Sequence, residues 1–332
     1  MEQNIKQSKS DNRIQTTPAK KVTLMEIYNR HVEKRARIES YAHPGNHVLT
    51  KGIAAAIADD AAAAIRAGEM ESRDLSFTVR YDPWSPSAKG GNQKLRGTIY
   101  VASHPLLDCW LDGLSRTRPS CTGLNEWCYA FSFRYLSSGK QLAMLANSIL
   151  GILEPDRMRR EILAWIECNA HRFVLDERTG KVPFRISEAG DLSRATAEVW
   201  ASVAEECAET HPEIAFYTYT KQFELLSALA AEGRPLATRS PNLRVILSDS
   251  TDCDPNPITK APDGHTVFAI LFKDQSKTPA RVRDAALELR LESLFGRAHC
   301  PGAKAGCFLC GKCSAAADPS DPASRVIFAD EH

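Results

Sequence analysis

An α/β fold built on a parallel sheet is what this sequence predicts, on three observations. Strand-like runs begin near residues 183, 214, 242 and 266, about thirty residues apart or slightly fewer. That is the length of a strand plus the crossover that returns the chain to its start. The segments between the first three runs, "RATAEVWASVAEECAETH" and "FELLSALAAEG", have helical periodicity, and the second ends in glycine. The runs "RVILS" and "VFAILF" are nearly continuous in apolar residues, as strands covered on both faces should be. The sheet is expected to be open or partly closed into a barrel.

The elements follow in order. Residues 1–22 are polar and read as a disordered basic tail. Val22–Ala42 spaces Leu24, Ile27, Tyr28, Val32 and Ile38 as a helix does, and Gly52–Gly68 is a second, alanine-rich helix with a glycine stop. "LSFTVRYD" and "LRGTIYVAS" alternate like strands around a long turn. The stretch from Leu106 to Leu136 is dense in aromatics and contains Cys109, Cys121 and Cys128. Gly139–Ala170 reads as helical with a break near "LEPDRM". The organisation expected is a tail at 1–22, helices and strands at 23–120 packing on the body, an α/β body at 121–299, and a cysteine-rich segment at 300–332.

The chain has 332 residues, 43% of them hydrophobic, enough for a full core. Its net charge of +1, from 42 basic and 41 acidic residues, provides no overall field for nucleic acid or membrane. The first 37 residues are the exception, with nine Lys/Arg against four acids. Charge-rich starts are usually solvated, and a weak nucleic-acid contact is the alternative reading. No apolar leader stands at the start, and the longest apolar run, near Ile53–Ile65, is interrupted by Asp59 and Asp60. A cytoplasmic protein without membrane contact is expected. In that reducing setting, clustered thiols are metal ligands or redox groups and not a disulfide frame.

Four of the ten cysteines crowd into "CPGAKAGCFLCGKC" as Cys300-x6-Cys307-x2-Cys310-x2-Cys313. Two residues between thiolates let the chain loop back on one ion or cluster, and Gly302, Gly306 and Gly311 permit the turns. The run Cys307, Cys310, Cys313 resembles ferredoxin-type ligation of a 4Fe–4S cluster. Zinc is the other reading, although four-cysteine zinc sites usually pair two C-x2-C units across a longer spacer. Cys121 and Cys128 form a weaker pair that is either core or part of a metal site. Cys168 and Cys207 fall on apolar faces of predicted helices and read as core, while Cys253 is unassigned.

Polar residues gather where the predicted strands end: Glu188 and Asp191 after the first, Thr218, Thr220 and Lys221 at the second, Ser248, Asp249, Ser250 and Asp252 at the third. Parallel α/β folds build sites at those ends. Singly, such residues are more often caps and turns. Their recurrence on three successive strands makes Glu188 and Asp191 candidate catalytic groups and Ser248 and Asp249 candidate cofactor contacts.

"CTGLNEWCYA", "FRISEAGDLS", "IAFYTYTK", "NLRVILSDS", "HCPGAKAGCFLCGKC" and "VIFADEH", in that order, resemble the motifs of the phage family called gene product eighty-eight. The resemblance covers Cys121 to His332 and leaves residues 1–120 without an assignment. That family is similar to radical-SAM-type proteins. The resemblance implies a partial (β/α) barrel, an iron–sulfur site and S-adenosylmethionine as cofactor. By analogy Cys121 and Cys128 would be ligands at the barrel mouth, and Cys300, Cys307, Cys310 and Cys313 would hold a second site. The radical-SAM loop C-x3-C-x2-C is absent from the chain, and all these cysteines could instead serve one cluster. The reading is an iron–sulfur protein of radical-SAM type acting on an unknown substrate. The alternative is a non-catalytic metal-binding protein of a mobile element that contacts nucleic acid or protein.

Overall fold

The computed structural model describes residues 21–36, 51–70, 75–81, 97–103, 138–176, 179–249, 266–271 and 326–330. Two helices come first, α1 (Leu24–Ala36) and α2 (Lys51–Arg66). A short strand, β1 (Ile99–Tyr100), precedes a helix pair, α3 (Ser138–Leu153) and α4 (Pro155–Asn169). Then strand and helix alternate: β2 (Val182–Arg185), α5 (Arg194–Thr210), β3 (Ile214–Thr220), α6 (Phe223–Ala231) and β4 (Leu243–Asp249). β5 (Thr266–Leu271) and β6 (Val326–Asp330) complete the described strands.

Local chemistry sets the helix boundaries. The predicted break near "LEPDRM" is real: Pro155, which lacks an N–H, cannot continue α3 but suits the first turn of α4. α5 starts at a reciprocal cap. Ser193 Oγ accepts from the Thr196 amide at 3.2 Å, and Thr196 Oγ1 accepts from the Ser193 amide at 2.8 Å. The face of α5 that follows, Ala197, Trp200, Ala201, Val203, Ala204 and Cys207, is buried.

The six strands stand in chain order, β1-β2-β3-β4-β5-β6, and every neighbouring pair is parallel. Each crossover therefore steps the same way. Because parallel crossovers are right-handed, helices so connected fall on one face of the sheet. The packing agrees. Phe184 of β2 meets Trp165 of α4 and Trp200 of α5 with ring centres 6.3 and 5.6 Å apart, and lies 5.0 Å from Phe216 of β3. Alternation then assigns Ile99, Val182, Phe184, Phe216, Val245 and Leu247 to the helix-covered face, all of them buried. Leu24, Ile27, Ile57 and Leu75 share that core with Ile149, Ile162 and Trp200. One hydrophobic cluster thus joins the first hundred residues to the α/β body.

Two expectations are corrected, and one strand was not anticipated. Residues 75–81 form no paired strand. Their one bridge is Arg80 to Tyr100, antiparallel, with N–H···O distances of 2.9 Å both ways. Helix side chains supply further partners. Asn147 accepts from the Thr78 amide at 2.8 Å and donates to the carbonyls of Thr78 and Ala102 at 3.1 and 2.8 Å. Glu161 accepts from the Phe77 amide at 2.7 Å, and Arg157 donates to the Leu75 carbonyl at 2.5 Å. Cys168 is exposed, because its position on α4 turns away from the core, whereas Cys207 is buried as expected. Finally, "VIFAD" is a strand, β6, which the spacing argument did not reach.

Candidate functional site at the C-terminal ends of the strands

The loop after β2, "ISEAGD", is built between two neighbours. On one side the ladder with β1 runs on past its last residue. Val101 N–H donates to the Arg185 carbonyl at 3.1 Å, Glu188 N–H to Val101 O at 2.6 Å, and Ser103 N–H to Ala189 O at 2.9 Å. Gly190 turns the chain with φ +85°, a conformation that side chains rarely adopt. On the other side Asp191 reaches β3. Its Oδ1 accepts from the Thr220 hydroxyl at 2.5 Å and the Leu192 amide at 2.7 Å, and its Oδ2 accepts from the Lys221 amide at 3.1 Å. Three donors hold this carboxylate, so it ties the loop after β2 to the end of β3.

Glu188 and Asp191 are therefore brought together, three residues apart in one loop and both buried, 6% and 5% exposed. Beneath the loop, Ala189 packs with Met144 of α3 and Ala102. Ser248 and Asp249 close β4, and Asp249 pairs with Ala269 of β5. β3 stands between β2 and β4, which sets the two groups of candidates two strand spacings, about 10 Å, apart. Ser248 is half-buried. The structure thus assembles all four candidates on the C-terminal rim of one sheet, with Asp191 engaged as a loop clasp.

The candidate metal ligands Cys121, Cys128, Cys300, Cys307, Cys310 and Cys313 lie outside the described residues, as do Cys109, Cys253 and the strand-end residues Ser250 and Asp252. Among the described residues no group of three or more His, Cys, Asp or Glu side chains is arranged to hold a metal. Cys207 is a core residue, its thiol pushed up to about 12 by burial and then by the charges of Glu206 and Glu213.

The sheet face away from the helices carries a pattern that sequence reasoning missed. Tyr100 of β1 registers with Arg185 of β2, Arg185 with Tyr217 of β3, and Tyr217 with Arg244 of β4. Arg80 bridges Tyr100 from the far side. One transverse row therefore reads Arg80, Tyr100, Arg185, Tyr217, Arg244. Arg185 leans toward the C-terminal rim, with its Nε donating to the Ser187 carbonyl at 2.9 Å and its guanidinium carbon 5.0 Å from the Tyr219 ring centre. The signal was present in the alternation of "VPFRIS" and "IAFYTYT", where Arg and Tyr occupy the beat opposite to the apolar one.

These features define a parallel α/β protein wound in one direction, with a polar rim at the strand ends and a cationic, aromatic face opposite its helices. The chain belongs to the gene product 88 family, whose sequence profile matches residues 107–320, more than half of its length. No curated protein and no solved structure matches the chain. No helix of the described residues is long and apolar enough to cross a membrane.

Proposed function

We propose that this chain is an iron–sulfur protein of radical-SAM type on a partial (β/α) barrel. The observation that carries the reading is the run Cys300, Cys307, Cys310, Cys313, in a chain whose parallel strands follow one another in order. Thiolates at these spacings suit the ligand chemistry of a 4Fe–4S cluster. A sheet wound in a single direction, helices on one face, is what a barrel segment requires, because its other face must turn inward. Cys300, Cys307, Cys310 and Cys313 would hold one site. Cys121 and Cys128 would hold another or contribute to the same one. When bound, a reduced cluster supplies the electron that cleaves S-adenosylmethionine.

The protein's own groups in this scheme are those of the rim. Glu188, buried in the loop that β1 and β3 flank, is the candidate proton carrier. Asp191, through Thr220 and Lys221, holds the loop that presents it. Ser248 and Asp249 would face cofactor from β4.

The test is anaerobic purification with analysis of iron and sulfide, then incubation with dithionite and S-adenosylmethionine and analysis for 5′-deoxyadenosine. A brown protein with about four irons per cluster, which loses them when Cys307 and Cys310 are changed to Ser, is expected. Zinc in a colourless protein would remove the redox reading and leave a structural metal site. Iron without deoxyadenosine would remove the radical step alone.

A further inference from the structure

The ladder between β1 and β2 loses its regular step just before Glu188. The Arg185 carbonyl accepts from the Val101 amide at 3.1 Å. In a regular parallel ladder the residue two further on, Ser187, would donate to the Val101 carbonyl and accept from the Ser103 amide. Glu188 donates in its place at 2.6 Å, and Ala189 accepts at 2.9 Å. The β2 side therefore carries extra residues over this step, as in a β-bulge. Toward β3 the chain keeps its register, with the Ile186 amide donating to the Tyr217 carbonyl at 2.8 Å. Such bulges re-aim a side chain and are frequent beside active sites.

Two side chains serve the backbone at this step. The carbonyl of Ser187, displaced from the ladder, accepts from Arg185 Nε at 2.9 Å. On the β1 side, Ala102 lies between the two residues that bond the step, and its carbonyl accepts from Asn147 Nδ2 at 2.8 Å. Asn147 is buried, 2% exposed, and it also pairs with the Thr78 amide and carbonyl at 2.8 and 3.1 Å. It thus stands in for a strand between residues 75–81 and the continuation of β1. One turn earlier on α3, Met144 packs with Ala102 and Ala189. α3 therefore touches both sides of the step. Val101, Ala102 and Ser103 precede the residues that the family profile matches, so part of the support for Glu188 comes from outside them.

We propose that Asn147 and Arg185 are positioning residues for Glu188, holding an irregular step in the β1–β2 ladder that sets where this carboxyl stands on the rim. The chemical role of Glu188 rests on its reading as the proton carrier, whereas the step and its two supports rest on geometry alone.

The experiment uses the full-length protein, purified without oxygen and labelled with carbon-13 at the glutamate carboxyls; Glu188→Gln assigns the Glu188 resonance. Asn147→Asp keeps the size and the acceptor but loses the donor to Ala102. Arg185→Met keeps a long stem but loses the donor to Ser187. In each variant the Glu188 resonance should move while that of Glu232, on the distant surface, stays in place. The Glu188 and Ser103 amides should exchange their hydrogens about tenfold faster or more, with β4 amides such as Val245 unchanged. Arg160→Gln, an exposed cation on α4, should match the parent in both measurements. Should Asn147→Asp fail to fold, Arg185→Met tests the step from its other end. An unmoved Glu188 resonance in the folded variants, or exchange accelerated alike through β3 and β4, would overturn the proposal. Release of 5′-deoxyadenosine separates this outcome from the function reading. Where the parent releases it, the variants should slow that release and alter its pH profile, and an unaltered profile would overturn the positioning role with the radical reading intact. No release by the parent, with the Glu188 resonance still moving in the variants, would remove the radical step and leave the positioning role standing.

Discussion

The hydroxyl of Thr220, the last residue of β3, donates to Oδ1 of Asp191 in the loop after β2, at 2.5 Å. The bond is buried, and the Lys221 and Leu192 amides also donate to this carboxylate. Asp191→Ala should lower stability to urea by about 2–3 kcal/mol, because it strands several buried donors. Thr220→Val removes one donor and should cost less. A double-mutant cycle in urea should return a coupling of about 1 kcal/mol or more; additive effects would mean that the clasp is incidental.

Glu232 lies in a chain of surface ion pairs. Arg194 grips both its oxygens at 2.9 Å, and Arg234 joins it to Glu198, which also meets Arg239. Hydrogen bonds from Arg194 and then Arg234 hold its carboxyl at about 2, below its ordinary 4.5. A depressed carboxylate stabilises the fold above its unfolded value and loses that contribution as pH falls through the folded one. The window is therefore pH 4.5 down to about 2. Carbon-13 NMR should show Glu232 titrating at the low end, and Arg194→Gln should move its midpoint upward.

Cys168 and Cys207, on α4 and α5, should differ in reactivity. Cys207 is buried with its thiol at about 12, and Cys168 is exposed. Thiolate is the reactive form, so iodoacetamide at pH 8 should label Cys168 first. Peptide mapping by mass spectrometry reads the order directly. Equal labelling in the folded protein would show that α5 does not seal its face as described.

Gly151 marks a close approach of α3 to α4 and α5. A Cβ there would lie 2.6 Å from Thr196 Cγ2 and 2.9 Å from Met158 Sδ. Gly151→Ala should destabilise by about 1–3 kcal/mol despite the better helix propensity of alanine. Adding Thr196→Ser keeps the capping hydroxyl and removes the clashing methyl, so it should restore part of the loss. Thermal unfolding of the two variants makes the comparison.

Much of the architecture was legible in the sequence because the signals were local and redundant. α5 and α6 have clear apolar periodicity with a cap or a glycine stop, and "IAFYTYT" and "LRVILSD" became β3 and β4 within a residue or two of their expected bounds. The segment at 75–81 misled because its alternation is real but its partners are side chains. Asn147, Arg157 and Glu161 lie far along the chain, and nothing near Thr78 announces them. The rim was visible as a set of strand-end residues, but the role of Asp191 was not, since its contact with Thr220 spans 29 positions. The transverse row of Arg and Tyr was invisible for the same reason: alternation assigns a face, and only register assigns neighbours.

The shared core has a practical consequence for anyone who trims this molecule. The family match starts at residue 107, yet Ile99 and Tyr100 guard the flank of β2, and Leu24, Ile57 and Leu75 plug the space beside Ile149 and Trp200. A fragment starting at 107 would bare β2 as an unprotected border beside a greasy hollow, an invitation to stick to its own kind. Such a fragment should elute from a sizing column as heavy, heterogeneous material, while the chain of 332 residues keeps that border covered.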